Sequence, residues 1–124
     1  MAEYGAGLDV TMISEWDLRA NQYCPVLVGT GDQKVVVSSQ TLQGPVVGIL
    51  QNKPFSGEAA RIRMAGITKM MAGDTITRGY FLTTNSNGGV IVGNSGHILG
   101  VAMESANSGS AFMGLVTPAN QATA

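Results

Sequence analysis

The stretch GPVVGILQNKPFSG, Gly44–Gly57, decides the interpretation of this chain because it occurs twice. A shift of 52 residues places it on GHILGVAMESANSG, Gly96–Gly109. The apolar positions of the two stretches coincide, and so do four residue types, which pair Gly44, Gly48, Ser56 and Gly57 with Gly96, Gly100, Ser108 and Gly109. A repeat at this period predicts one supersecondary unit used twice, which favours a scaffold or binding surface over a catalytic site.

Glycine interrupts an apolar strand at the same place in both copies. Gly48 stands within PVVGILQ and Gly100 within HILGVAME. A glycine inside a strand marks a bulge, a bend or a close backbone approach, so we expect the same bend to be built twice. The glycines that we assign a structural role are Gly44, Gly48, Gly57, Gly96, Gly100 and Gly109.

Short apolar runs separated by turn residues make the chain mainly β. Pro25–Gly29 and Lys34–Ser38 stand at hairpin distance, and Ala60–Met64 alternates charged and apolar residues. We expect a compact barrel or sandwich with internal duplication and little helix, none longer than about two turns, with residues 14–21 the best candidate for a helical turn. The residues do not decide between one barrel and two.

Three segments are expected from the composition. Residues 1–22 have little to bury and are interpreted as an extended N-terminal arm. Residues 23–118 form the β-rich domain, with related halves at about 25–66 and 79–118. Residues 119–124 are polar and are expected to be a flexible tail.

The charge pattern restricts the partners. Charged residues make up 12% of the chain, with a net charge of −1. The first 18 residues are acidic and residues 53–78 mildly basic, which indicates either head-to-tail contact between copies or a merely solvated surface. We expect no nucleic-acid partner, because the basic residues are few and no aromatic residues interleave with them. No apolar run approaches the roughly 18 residues that span a membrane, and the N-terminus lacks a signal-peptide pattern, so folding in the cytoplasm without a membrane partner is expected.

The polar residues give no catalytic constellation. His97 is the one histidine and Cys24 the one cysteine, so no set with metal-ligand spacing exists. Asp74 and Glu104 lack a second carboxylate in a motif. We therefore expect no enzyme, no catalytic residue, no metal and no cofactor.

Two regions are candidate contact surfaces. In the arm, apolar and polar residues alternate along Leu8, Asp9, Val10, Thr11 and Met12, and Trp16 is either an anchor or a cover for the end of its own barrel. The repeated loops differ in charge and bulk between the copies, so the candidate subunit contacts are Lys53, Pro54, Phe55, Arg61 and Arg63.

The pattern as a whole resembles a known family. A glycine-bent strand leads to Ser-Gly and a closing strand, then to an A-G-D-x-I-x-x-G segment and a second copy. The matching residues are Gly44–Ile49, Ser56–Gly57, Ala72–Gly79, Gly88–Gly89 and Gly96–Val101. This order resembles the capsid decoration, or cement, proteins of tailed bacteriophages, similar to the lambda-type head-stabilising protein.

The resemblance implies a β-tulip fold and a homotrimer on the outer surface of the expanded head. There the family joins neighbouring major capsid protein subunits against the pressure of packaged DNA, after synthesis in the host bacterial cytoplasm. The N-terminal arm, with Trp16, would bind the capsid and add a strand to its sheet. Deletion of residues 1–13 is then expected to leave a folded trimer that no longer binds heads. A tail, fibre or baseplate component and a small ligand-binding barrel are the alternatives.

Overall fold

The computed structural model describes the backbone of residues 8–37, 46–85, 88–93 and 95–123, and their side chains except for 95–97 and 117–123. Gly44, the first seven residues of the predicted arm and Ala124 therefore lie outside the described residues. The strands are β1 (Leu8–Ser14), β2 (Pro25–Val28), β3 (Lys34–Val37), β4 (Val46–Leu50), β5 (Ala59–Met71), β6 (Phe81–Thr84), β7 (Val90–Val92), β8 (Ser95–Ala102) and β9 (Ala111–Thr123).

The mainly β prediction is confirmed, because the described residues contain strands and turns but no helix. The predicted helical turn around residues 14–21 is wrong. The backbone of this segment bonds to another loop instead, with the Leu18 amide donating to the Pro54 carbonyl at 2.9 Å.

Five strands in the order β1-β3-β2-β4-β5 form a first barrel, which the β1–β5 pairing closes. β1 runs antiparallel to β5, with Val10 opposite Ile62, and meets β3 in parallel at Ile13 and Lys34. Residues 8–14 are thus a wall of the barrel, which corrects their assignment to an extended arm. The physical reason is burial, because Val10 and Met12 pack against the barrel core.

A second barrel repeats this plan with strands β5, β9, β8, β6 and β7. The parallel bridge between Ala72 and Val90 occupies the place of the Ser14–Val35 pair in the first barrel. The 13-residue strand β5 belongs to both barrels, and Gly66 lies at their junction with φ +112°.

The register shows where each copy begins. Ile13 pairs with Ala59 in the first barrel, and Met71 pairs with Ala111 in the second. Residues 8–18 therefore correspond to residues 66–76 at a shift of 58, whereas β4 and the start of β5 correspond to β8 and β9 at the shift of 52. The predicted halves began too late, because the first strand of each copy was left out of them.

The C-terminal residues also depart from the expectation of a flexible tail. β9 continues to Thr123, which pairs with Ser95, and Gln121 pairs with Ile98. The start of β8 offers this segment an antiparallel partner, so its backbone extends the sheet.

At three equivalent core positions, one barrel has a large side chain where the other has a small one. In the first barrel these positions hold Leu50, Ala60 and Ile62, and in the second they hold Ala102, Phe112 and Gly114. A methyl group at Gly114 would lie 2.6 Å from the Met70 sulfur, so a larger residue at this position would require the Met70 side chain to move. Each core is close-packed by its own combination of large and small residues.

The glycine bends occupy equivalent places. A Cβ atom at Gly48 would meet the Arg63 carbonyl oxygen, and one at Gly100 would meet the Leu115 carbonyl oxygen. Gly57 and Gly109 adopt φ angles of +86° and +84°, the left-handed region that favours glycine.

The barrels pack against each other through the outer side of β2, β3 and β4. Leu27, Val36 and Ile49 point out of the first barrel and are fully buried in a cluster with the second barrel's core. The Met71 amide donates to the Tyr23 carbonyl at 3.0 Å across the same contact.

Candidate functional site

Two loops at one end of the first barrel bring the predicted arm and the predicted subunit contacts together. The Leu18 amide donates to Pro54, and the Ser56 hydroxyl donates to the Glu15 carbonyl at 3.1 Å. The Gly57 amide closes the pair with a 2.8 Å bond to the Ser14 carbonyl. Leu18, only 1% exposed, fills the barrel end below the two loops.

This loop pair carries an exposed group of side chains, Trp16, Arg19 and Phe55, which we call the aromatic tip. Trp16 is 36% exposed and Phe55 is 47% exposed. The Arg19 guanidinium carbon lies 4.5 Å from the centre of the Phe55 ring, a cation–π contact. Tryptophan and arginine carry much of the binding energy at protein interfaces, so the tip has the chemistry of a docking surface.

Asp17 holds the guanidinium of Arg19 in place. Arg19 donates from Nε and Nη2 to the two carboxylate oxygens of Asp17, each at 2.9 Å. These bonds lower the pKa of Asp17 and raise that of Arg19. Arg19 therefore remains charged and is fixed above the Phe55 ring.

The structure separates the five predicted subunit contacts. Lys53, Phe55 and Arg61 are exposed, whereas Pro54 is buried beneath the loop pair. Pro54 does not offer a surface to a neighbour, because its carbonyl and its ring are used within the chain.

Arg63 is engaged within the chain as well. Its Nε and Nη2 atoms donate to the Asp9 carboxylate at 2.8 and 3.3 Å, and Nη1 donates to the Ile67 carbonyl at 3.0 Å. The hydrogen bond from Arg63 lowers the pKa of Asp9. This residue clamps β1 to β5.

Within the described residues, β1 keeps an open edge along its first half. The Ser14 amide bonds to the Glu58 carbonyl on the β5 side, and the Ile13 amide bonds to the Gln33 carbonyl on the β3 side. Because these directions alternate along a strand, the backbone groups of Asp9 and Thr11 point away from β5. Within the described residues the β3 pairing reaches only Ile13 and Ser14, so it does not cover Asp9 and Thr11.

The equivalent loops of the second barrel are polar at the tip. The Ile76 amide donates to Ala106 at 2.8 Å, as Leu18 does to Pro54. Asp74 stands at the position of Trp16, and Asn107 at that of Phe55. The aromatic tip is thus a difference between the two copies. Sequence reasoning missed Arg19, which the 58-residue shift would have revealed by aligning Trp16 and Arg19 with the polar residues Asp74 and Thr77.

Other polar groups have structural roles. Glu15 accepts bonds from the Thr30 hydroxyl and from the Thr30 and Gly31 amides, which fixes the β2–β3 turn and lowers the pKa of Glu15. Burial raises the pKa of Cys24, which disfavours the reactive thiolate.

The described part of the chain contains no group of three or more histidine, cysteine or acidic residues placed to hold a metal. It also contains no helix long and apolar enough to cross a membrane.

Comparison with known proteins identifies the family. A family model of phage cement proteins matches residues 3–118. The chain belongs to the phage cement protein family. The resemblance read from its glycine pattern is confirmed, and the protein is a structural, head-associated virion protein of a bacteriophage.

A solved structure shares the fold of this cement protein. The crystal structure of the head fibre gp8.5 N base in bacteriophage phi29 is similar with a TM-score of 0.70 and 16% identity, covering 94% of this chain and 98% of that one. No curated protein matches the chain.

Proposed function

We propose that this cement protein binds the outer surface of the expanded phage head, joins neighbouring major capsid protein subunits and stabilises the shell against packaged DNA. The family match over residues 3–118 carries the proposal. In this proposal the protein acts without catalysis, nucleic acid or membrane, after synthesis in the host cytoplasm. Binding to the expanded lattice alone stabilises that lattice by mass action.

The aromatic tip is the proposed capsid contact. Trp16 and Phe55 supply large rigid surfaces, and Arg19 supplies a fixed charge for carboxylates or backbone carbonyls. β1 contributes through its open edge at Asp9 and Thr11, where a capsid strand would add to the sheet. Leu8, which is 57% exposed, belongs to the same proposed contact, whereas the side chains of Val10 and Met12 pack against the barrel core.

We propose that the bound form is a homotrimer. Three tips on one rigid assembly convert the second and third contacts into intramolecular events, which raises the avidity without new contacts.

The experiment is binding to purified expanded heads that lack the protein, with occupancy measured after sedimentation. Trp16→Ala and Phe55→Ala are each expected to weaken binding about tenfold or more, the range of interface anchors. The matched controls are Asp74→Ala and Asn107→Ala, at the equivalent loop positions of the second barrel. Equal occupancy for all four variants and the parent would reject the tip as the contact.

A fibre-base role is the second candidate. The observation that favours it is the fold shared with a phage head fibre base. Labelled particles imaged by electron microscopy separate the two roles. Label spread over the faces of the head supports cementing, and label confined to projecting fibres supports the alternative.

A further inference from the structure

An apolar row crosses four adjacent strands on the outside of the second barrel. Phe81 pairs with Val101, Val101 with Leu115, and Leu115 with Ile67. Their chain neighbours Leu82, Ala102 and Val116 lie in the core cluster, and Thr68, next to Ile67, is buried, so the four side chains of the row point outward. Phe81 is 45% exposed and Leu115 is 37% exposed. We call this row the open face.

The internal repeat shows what such a face does in the first barrel. Phe81 corresponds to Pro25 and Val101 to Ile49, since both pairs occupy the same register beside the glycine bend. Pro25 and Ile49 are buried, Ile49 in the contact between the barrels. The Pro25–Ile49 part of this row is therefore covered in the first barrel, whereas Asp9 and Arg63 stay partly exposed. The described residues place nothing comparable over Phe81, the residue equivalent to Pro25.

The substitutions between the copies make the open face more apolar. Ile67 and Leu115 stand where the first barrel has the ion pair of Asp9 and Arg63. Of the fifteen Asp, Glu, Lys and Arg residues of the chain, only four follow Arg63. Depletion of charge and enrichment in aromatic residues are typical of the buried centre of a protein interface.

A groove adjoins the row. Gly79 stands at the position of Tyr23, because the amides of both residues bond to the equivalent carbonyls of Ala102 and Leu50. The groove that Gly79 lines with Tyr80, Phe81, Val92 and Gly93 has a volume of about 450 Å³. The exposed aromatic side chains of Tyr80 and Phe81 can insert into a partner, and the adjacent groove can accept a side chain of that partner.

We propose that the open face binds the first barrel of a second copy of this chain. The contact continues the interface that already exists inside the chain, where the outer face of one barrel is covered by the next barrel. Such a contact is head-to-tail, and a head-to-tail contact that closes forms a ring. Three copies joined in this way make a ring of six barrels. The inference locates the subunit contact of the proposed trimer and rests on that part of the proposed function.

The first barrel supplies the disrupting variant. The double substitution Ile67→Asp with Leu115→Arg transfers the Asp9–Arg63 pair to the same register of the second barrel, where the backbone accommodates it. We expect the parent protein to sediment at about three times its 12.8 kDa mass and the variant as a monomer with unchanged circular dichroism. Phe81→Glu, at an exposed position, serves as a second variant, and Met103→Lys, at a 44% exposed position of the second barrel outside the row and the groove, is the control that keeps the trimer.

The measurement uses free protein and no capsids, so its failure is distinguishable from failure of capsid binding. A parent protein that stays monomeric at the highest concentration overturns the inference. So does a folded double variant that still associates. Loss of head occupancy by the variants of a monomeric parent would assign the open face to the capsid protein instead.

Discussion

Asp9 and Arg63, 54 positions apart in the chain, hold β1 against β5 through two hydrogen bonds of 2.8 and 3.3 Å. The pair lies on the outside of the first barrel, with each side chain about one-quarter exposed. It ties the first described strand to the strand that both barrels share.

Arg63→Ala is expected to lower the free energy of unfolding by about 1 kcal/mol, because a partly buried two-pronged pair lies at the upper end of the surface range. Arg61→Ala is the control on the same strand, since the Arg61 Nε is 3.9 Å from Asp9 and its side chain is mostly exposed. Urea denaturation measures both. Equal losses for the two variants would contradict the assigned role of the clamp.

Acidic pH is expected to lower the stability of the first barrel. Asp9 and Glu15 both have a pKa below the usual carboxyl value in the folded protein, because Arg63 and the Thr30 hydroxyl respectively donate to them. Their contribution to stability is complete above the usual carboxyl pKa of about 4 and is lost as the pH falls through the lower folded values.

The melting temperature is accordingly expected to hold from pH 7 to 5 and to fall below about pH 4. Glu15→Gln, which removes the titrating group, should narrow the difference between neutral and acid melting temperatures. A melting temperature that rises on acidification would show that these carboxylates do not stabilise the fold.

Gly100→Ala is expected to destabilise the protein by about 2–3 kcal/mol, because the new methyl group would collide with backbone that has no free rotor. The Leu115 carbonyl carbon would lie 2.8 Å from it. The control is Gly109→Asn, which has open space at its left-handed φ, and asparagine tolerates that region at a cost of about 1 kcal/mol. Thermal melts measure the stability of the two variants. Similar melting temperatures would contradict the argument that close backbone approach requires glycine at position 100.

Truncation distinguishes an arm from a barrel strand. Deletion of residues 1–7 leaves β1 intact and is expected to preserve the melting temperature. Deletion of residues 1–13 removes most of β1, opens the barrel and exposes one edge of β5, so we expect an unfolded or aggregating product. This replaces the expectation of a folded trimer, and circular dichroism of the longer deletion decides between them.

The local sequence pattern was sufficient to predict much of the fold. The hairpins, the 52-residue shift and the bends at Gly48 and Gly100 depend on neighbouring residues, which the sequence displays directly. The place of β1 depends on a different shift of 58 residues, because the loops of the two copies differ in length. Along that shift Met12 and Met70 are the one identical pair of residues 8–18 with 66–76. A single alignment offset could not reveal the relationship.

The remaining errors concern long-range contacts. PANQATA has a polar composition typical of a tail, yet its backbone finds a partner 25 or so residues earlier in β8. Pro54 looked like an exposed loop residue because nothing local shows that Leu18 lies against it. Trp16 was predictable as an anchor and Phe55 as a subunit contact only separately, and the pairing of the two loops that carry them required the fold.

The shared strand has a mechanical consequence. Thirteen residues of extended chain make β5 about 43 Å long, with the first barrel bonded along its beginning and the second along its end. Tension applied along this strand loads the flanking ladders in shear, so many hydrogen bonds must fail together rather than one after another. The two barrels are therefore expected to resist tension along β5 together, because the shared strand transmits the load on one barrel to the other.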